Sequence, residues 1–259
     1  MESGQTSTEA VEQRLIDDGR VAVLTINRPA ARNALSSTAI RQLDETLQKL
    51  DADETARVVV LTGAAPGFCA GSDLKELGGM SVAEMASHEA ETGRFVRSLQ
   101  RLDLPVVAAV EGFALGGGFL LATGCDLVVS AEDARWHLPE VALGWVPPWG
   151  LQTLVSRVGP TTARRLAWGD QPLAGADLHR LGVVDEVAES GTALELASEL
   201  AVRLAALPTS AVASTKQALA DAVAGPAESL DALTTGLFVQ DCEADAARAS
   251  LARFARKTS

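Results

Sequence analysis

Gly112-Phe113-Ala114-Leu115-Gly116-Gly117-Gly118-Phe119-Leu120 lies between two short apolar runs, Val106 to Val110 and Leu127 to Ser130. Both runs read as strands, and the glycine triplet reads as the opening of a helix between them. The same alternation continues upstream. Arg57 to Thr62 is a β-branched run, and the helical stretch Ser81 to Leu102 separates it from Val106. Ser36 or Ser37 can cap a helix to about Leu50, with Ile40, Leu43, Leu47 and Leu50 on one face. Before it come strands at Arg20 to Ile26 and, more weakly, Val11 to Ile16, joined through Asp17-Asp18-Gly19. Strands alternating with helices predict an α/β fold with mostly parallel pairing, and the short apolar runs predict a sheet covered on both faces.

Composition changes after about Val187. From Thr192 onward the segments are rich in alanine and leucine with helical periodicity, broken at Pro208 and Gly225-Pro226. The reading is a polar tail over 1–10, an α/β core over 11–190 and a helical region over 191–259. No repeat or low-complexity linker forces independent domains.

The chain has 259 residues, 47% of them hydrophobic and 22% charged, as expected of an ordinary globular protein with a sizeable core. Its formal charge of −12 opposes nucleic-acid and anionic-membrane binding, while leaving room for a local basic pocket. No apolar run approaches the ~20 residues that span a bilayer. The odd set Cys69, Cys125 and Cys242 has no CxxC spacing and no metal-ligand cluster beside it. It reads as reduced thiols of a cytoplasmic protein, with no metal site.

Three segments carry candidate chemistry. One is Asn27-Arg28-Pro29-Ala30-Ala31-Arg32-Asn33-Ala34-Leu35. Another runs from Gly63 through Phe68-Cys69-Ala70-Gly71-Ser72-Asp73-Leu74. The third begins at the triplet and continues through Cys125-Asp126 to Leu138-Pro139-Glu140. Any one glycine-rich loop is equally well a tight turn. Spacing removes several alternatives: no GxGxxG opens a helix after a strand, no Gly-Lys-Ser/Thr follows the Gly63–Gly71 loop, and Ser72 is not in a GxSxG elbow.

In their order and separations the segments resemble the crotonase family of enoyl-CoA hydratases and isomerases, from about Val11 to Lys257. The resemblance implies a spiral of ββα turns forming two near-perpendicular sheets, then helices that build a homotrimer or a dimer of trimers. It implies an acyl-CoA substrate, with coenzyme A as part of that substrate and no permanently bound cofactor. It also implies an enolate whose oxygen is held by the backbone N–H groups of Ser72 and Gly117. Fixed backbone donors suit developing charge, and losing one typically costs ~10²–10³ in rate.

By the same resemblance, family hydratases carry glutamates at the positions of Leu120 and Glu140. Leucine carries no proton, so Glu140 is left as the one family carboxylate. A single base matches the family's double-bond isomerases, in which one group moves a proton between the α- and γ-carbons. That makes isomerisation the first expectation. Hydration, C–C cleavage or thioester hydrolysis through Glu140 alone, a non-catalytic CoA-binding subunit, and a serine hydrolase using Ser72 and His137 are the alternatives. Trp136, Leu138, Trp145 and Trp149 would raise the pKa of Glu140 if they desolvate it. Trp145 and Trp149 read as walls of the acyl pocket or as core. Backbone around Arg32, Asn33 and Ala34 is expected near the adenine of CoA, with Ala70 in the same channel. Lys75 and the Arg253–Lys257 cluster are candidate phosphate contacts or solvated charges. The chain has no tyrosine, which closes any mechanism using one.

Overall fold

The computed structural model describes residues 9–169 and 171–256, with side chains as far as Arg253 in the last helix. The polar tail therefore falls almost wholly outside the described residues. The chain opens with a hairpin, β1 (Val11–Ile16) against β2 (Val21–Ile26), turned by a 3-10 turn at Asp17–Gly19. Helix α1 (Ser37–Asp51) follows, its Ala39 N–H capped by the Ser36 hydroxyl and its Ile40, Leu43, Leu47 and Leu50 buried. Next come β3 (Val58–Gly63), the one-turn α2 (Leu74–Leu77) and α3 (Val82–Ser98). Ser81 and Glu84 form a capping box at the start of α3. A 3-10 turn ends the predicted Ser81–Leu102 helix early.

The centre of the fold is β4 (Val106–Val110), β5 (Phe113–Leu115), α4 (Gly117–Gly124), β6 (Leu127–Ala131) and β7 (Arg135–His137). Then come α5 (Glu140–Leu143), α6 (Leu151–Trp168, broken at Gly159), β8 (Leu173–Ala174), α7 (Gly175–Arg180) and β9 (Glu186–Ala188). The larger sheet has the order β1-β2-β3-β4-β6-β9 and is parallel except for the opening hairpin. The smaller sheet, β5-β7-β8, pairs β5 with β7 in parallel, so Leu115 lies beside His137. The α/β reading with mostly parallel strands holds. Every residue of β4 is buried, as a strand covered on both faces requires.

Four helices end the described chain: α8 (Ala193–Ala205), α9 (Thr209–Ala224), α10 (Ala227–Cys242) and α11 (Asp245–Arg256). The first two breaks fall at Pro208 and Gly225-Pro226, and the third, at Glu243-Ala244, has neither proline nor glycine. Helix α8 covers β3, β4 and β6 with a stripe of Ala193, Ala197, Ala201 and Ala205, whose small side chains let the helix approach closely. Lys216 of α9 is fixed to the core through Asp126 (2.7 Å) and the Leu104 carbonyl (2.8 Å). Helices α10 and α11 fold back over α3, α2 and α5, which closes the region where the three motif segments meet.

Candidate active site

The first two motif segments are bound to each other through backbone. Leu35 N–H donates to Gly71 O (2.8 Å), and Asp73 N–H donates to Leu35 O (3.0 Å). This is a parallel bridge between Leu35 and Ser72, and in that pattern the N–H of Ser72 points away from Leu35. Arg28 braces the turn from behind by pairing with Asp73 (2.7 Å) and with the Ala34 carbonyl. Asp73 also caps α2, accepting from Lys75 and Glu76 N–H, so its carboxylate is committed to holding the loop. The Arg28 guanidinium and these backbone donors outweigh burial and keep it below the usual carboxylate range, although burial is the largest single influence.

Glycine is required where the loops touch. Gly71 has φ +89°, and a Cβ there would lie 2.8 Å from the Gly117 nitrogen. The chain carrying the Ser72 amide is thereby pressed against the first residue of α4. Gly117 begins that helix, so its N–H has no intrahelical acceptor. Neither the Ser72 nor the Gly117 N–H meets a protein acceptor among the described residues. Two unpaired, preset donors on adjoining backbones suit an oxyanion, and the position of Gly117 at a helix start favours negative charge there.

Glu140 comes to the same place from β7. Gly116 N–H donates to His137 O (2.8 Å), which ties the triplet to the strand that leads through Leu138-Pro139 to Glu140. Its carboxyl lies against Gly116, where an added Cβ would be 2.9 Å from Oε1. Glu140 is 7% exposed, and its Oε2 has no hydrogen-bond partner. Burial pushes its pKa up to about 8. Its own backbone N–H opposes the shift, and the nearby charge of Glu89 adds to it.

Ser72, Gly116, Gly117, Glu140, Trp145 and Trp149 line one cavity of about 70 Å³, with Ala70 and Leu120 also in its wall. Phe238 of α10 and Leu251 of α11 close it. Trp149 presses its ring on Gly117 and packs against Gly93 of α3, where a Cβ would meet the Trp149 Cβ at 2.8 Å. Trp145 stacks edge-to-face on Phe238, with centroids 6.3 Å apart. The loop carrying both tryptophans is pinned to α10 by Val146 N–H to Asp241 (2.9 Å), Thr234 hydroxyl to Pro148 O (2.8 Å) and Gly150 N–H to Asp231 (3.1 Å). The tryptophans are therefore wall and core at once.

Other sequence candidates are placed differently. Asn33 is fully buried and spends its side chain on Arg28 N–H, Ala64 O and Gly67 O. Arg32 is exposed in a left-handed conformation over the Phe113 ring, and its carbonyl accepts from Ala70 N–H (3.1 Å). Ala34 is buried, with its carbonyl taken by Arg28. Of the expected CoA contacts, only Ala70 reaches the cavity wall. His137 turns away from the site and bonds the Gly169 carbonyl (2.7 Å), so the structure does not bring it to Ser72. Lys75 is exposed on α2. Of the basic cluster Arg253–Lys257, Arg253 donates to Ser250 (3.2 Å), and the remaining side chains lie outside the described residues. Cys69 is buried and its thiol is pushed up to about 12 by desolvation, which makes it unreactive.

One wall residue has no counterpart in the motifs. Glu89, in the middle of α3, is 3% exposed and enters the cavity. Trp149 Nε1 donates to its Oε2 (2.7 Å). Burial raises its pKa, while the Ser72 hydroxyl, the Trp149 donor and His88 act in the opposite sense. Leu120 is apolar and buried in the wall, and α3 brings to the same cavity a second carboxyl that no motif marks. The signal was present in the sequence. Met85, Glu89, Thr92 and Val96 follow helical spacing, so Glu89 falls on an otherwise inward-facing stripe.

A family model described as enoyl-CoA hydratase/isomerase matches residues 17–259. The chain is 37% identical over 204 residues to the short-chain-enoyl-CoA hydratase of Clostridium acetobutylicum, covering 78% of each protein. It is 38% identical over 201 residues to the 2,3-dehydroadipyl-CoA hydratase of Escherichia coli, covering 77% of this chain and 78% of the relative. A solved enoyl-CoA hydratase/isomerase from Mycobacterium paratuberculosis has a TM-score of 0.85 at 27% identity, over 96% of this chain and 99% of that one.

Proposed function

Because the chain belongs to the enoyl-CoA hydratase/isomerase family, whose crotonase fold it shares with its structural neighbours, we propose that it transfers a proton at the α-carbon of an enoyl-CoA thioester. The thioester oxygen is held by the N–H groups of Ser72 and Gly117, and Glu140 carries the proton. The observation that carries this reading is the buried, half-unpartnered Glu140 carboxyl beside Gly116, in the same cavity as two free backbone donors. Burial serves the chemistry: a carboxyl pushed up to about 8 exchanges protons readily near neutral pH. Coenzyme A enters as part of the substrate, and the reading needs no resident cofactor.

Two reactions share this proton transfer. Isomerisation of a 3-enoyl-CoA needs Glu140 alone, because the proton it removes is the one it returns. Hydration of a 2-enoyl-CoA needs a further group to hold and deprotonate water. Glu89 in the cavity favours the second reaction, as do the names of the two relatives above. Incubating the protein separately with 2-enoyl- and 3-enoyl-CoA tests this: hydration adds the mass of one water, and isomerisation changes the absorbance without changing mass. Turnover of neither would overturn the reading.

A homotrimer or dimer of trimers accompanies this function. Leu219 on α9 and Leu233 and Leu237 on α10 are large apolar side chains left 58%, 59% and 40% exposed, which supports self-association through the C-terminal helices. Light scattering after gel filtration tests it, and a monomer at micromolar concentration would refute it.

A further inference from the structure

We propose that Glu89 is the second catalytic carboxylate, taking over from α3 the role that Leu120 cannot perform, and that the site therefore adds water to a 2-enoyl-CoA. The inference rests on the acyl-CoA reading above.

The geometry behind it is a convergence of independent elements. Glu89 reaches the cavity from α3, Glu140 from α5, and the two oxyanion donors from the loop before α2 and the start of α4. Position 120 is one helical turn inside α4, and its leucine fills the space against Gly150, whose added Cβ would meet Leu120 Cβ at 3.0 Å. That space holds no carboxylate. Glu89 has instead been given a dedicated support. Gly93, one turn further along α3, makes room for Trp149, and the Trp149 indole then donates to Glu89 Oε2 at 2.7 Å. Indole can only donate, so the contact favours a carboxylate in the ionised state. The Ser72 hydroxyl favours the same state. A buried glutamate serving packing alone would be costly in this setting, and an apolar side chain would fill the position on α3 without that cost.

The two carboxyls are unequal. Both are pushed up by burial, but only Glu89 has the indole and hydroxyl donors, and its charge then makes Glu140 harder to ionise. The Trp149 donor on Glu89 and the unpartnered Oε2 of Glu140 make Glu89 the better supported of the two as a carboxylate, which suits it as base and Glu140 as acid.

With 2-enoyl-CoA bound, water lies against Glu89. Its oxygen forms a bond to the β-carbon and one of its protons passes to the Glu89 carboxylate. The C2–C3 π pair shifts to give the enolate, whose oxygen is held by Ser72 and Gly117 N–H. The enolate collapses by taking the Glu140 proton at C2. The product is the 3-hydroxyacyl thioester. Glu89 is left protonated and Glu140 ionised, and transfer of one proton between them restores the starting state.

The test compares the full-length wild-type protein with Glu89→Gln, in which the amide oxygen still accepts from Trp149. Two rates are read: hydration of 2-butenoyl-CoA, and exchange of the α-hydrogens of butyryl-CoA in deuterated water. Exchange needs the oxyanion donors and Glu140 but no water addition. The inference expects hydration to fall by about 10²–10⁴-fold in Glu89→Gln, while α-exchange persists with its pH dependence moved to lower pH, because losing the Glu89 charge makes Glu140 easier to ionise. Glu89→Asp, which keeps a carboxylate, should recover part of the hydration rate. Wild-type hydration that persists unchanged in Glu89→Gln overturns the role of Glu89 and leaves the acyl-CoA reading intact. Wild-type isomerisation of a 3-enoyl-CoA with no hydration does the same. A parallel loss of hydration and exchange in Glu89→Gln also overturns it, because Glu89 would then be supporting the site as a whole. A wild-type protein that performs neither reaction overturns the acyl-CoA reading itself.

Discussion

Replacing Glu140 with glutamine should make the protein more stable in alkaline solution than the wild type, and the advantage should vanish in acid. The carboxyl is buried, one of its oxygens has no partner, and its pKa rises from the ordinary 4.5 to about 8. A raised folded-state value means that the native protein holds its proton more tightly than the unfolded chain does. The resulting stability is fully present below about 4.5 and is lost as pH rises through about 8. Between those values the loss accrues at about 1.4 kcal/mol per pH unit, giving a total on the order of 5 kcal/mol. Glutamine has nearly the same shape and never ionises. Its own cost, an amide without partners, is independent of pH and cancels when the two proteins are compared at several pH values. Paired urea titrations at pH 5, 6, 7, 8 and 9 would read the difference directly. In thermal unfolding it should reach roughly 10 °C at the alkaline end for a chain of this size. The reasoning is refuted if the two stability profiles run parallel across that range. Repeating the pair in a Glu89→Gln background separates the two causes. Burial is the larger, so most of the divergence should remain without the Glu89 charge.

Three further substitutions probe the walls of the site. Gly116→Ala places a Cβ 2.9 Å from Glu140 Oε1 at a residue with φ +54°; it should cost about 1–3 kcal/mol in denaturant stability and displace the carboxyl enough to reduce kcat by at least tenfold, and wild-type kinetics would contradict that placement. Ser72→Ala keeps the backbone N–H and should lower kcat less than about tenfold, since one donor to Glu89 is lost while the oxyanion donor remains; complete loss with an intact fold would point to a nucleophilic serine. Trp145→Ala opens the narrow cavity beside Phe238, so kcat/KM measured over a series of acyl chain lengths should shift toward longer chains, at a stability cost of about 3–5 kcal/mol. An unchanged chain-length profile would move the acyl path elsewhere.

Much of this architecture can be read from periodicity and punctuation. The strands at Val21, Val58, Val106 and Leu127 announce themselves as short apolar runs, whereas β1, exposed from Glu12 to Leu15, gives only a weak signal. The glycine motifs forecast where backbone must meet backbone, and the contact of Gly71 with Gly117 shows why no side chain fits there. The smaller sheet was harder to see, since β5, β7 and β8 have three, three and two residues and take their stability from neighbours rather than from their own pattern. The part of the site least legible in the sequence is Glu89. It belongs to no motif, and its meaning depends on α3 packing beside Trp149 from sixty residues further along the chain. Asn33 shows the converse. The motif places its backbone near a ligand, and the structure gives its buried side chain a separate task, holding the loop together through three backbone groups. At both residues side-chain direction is set by tertiary packing, which position relative to a motif does not carry.

Glu140 as the proton carrier of an enoyl-CoA reaction is the central proposal. Mass spectrometry of 2-butenoyl-CoA incubated with the wild-type protein, and with Glu140→Gln at equal concentration, tests this in one measurement. The account predicts a product heavier by one water with the wild type, and at least a hundredfold slower formation with the variant. Equal rates for the two proteins would contradict it.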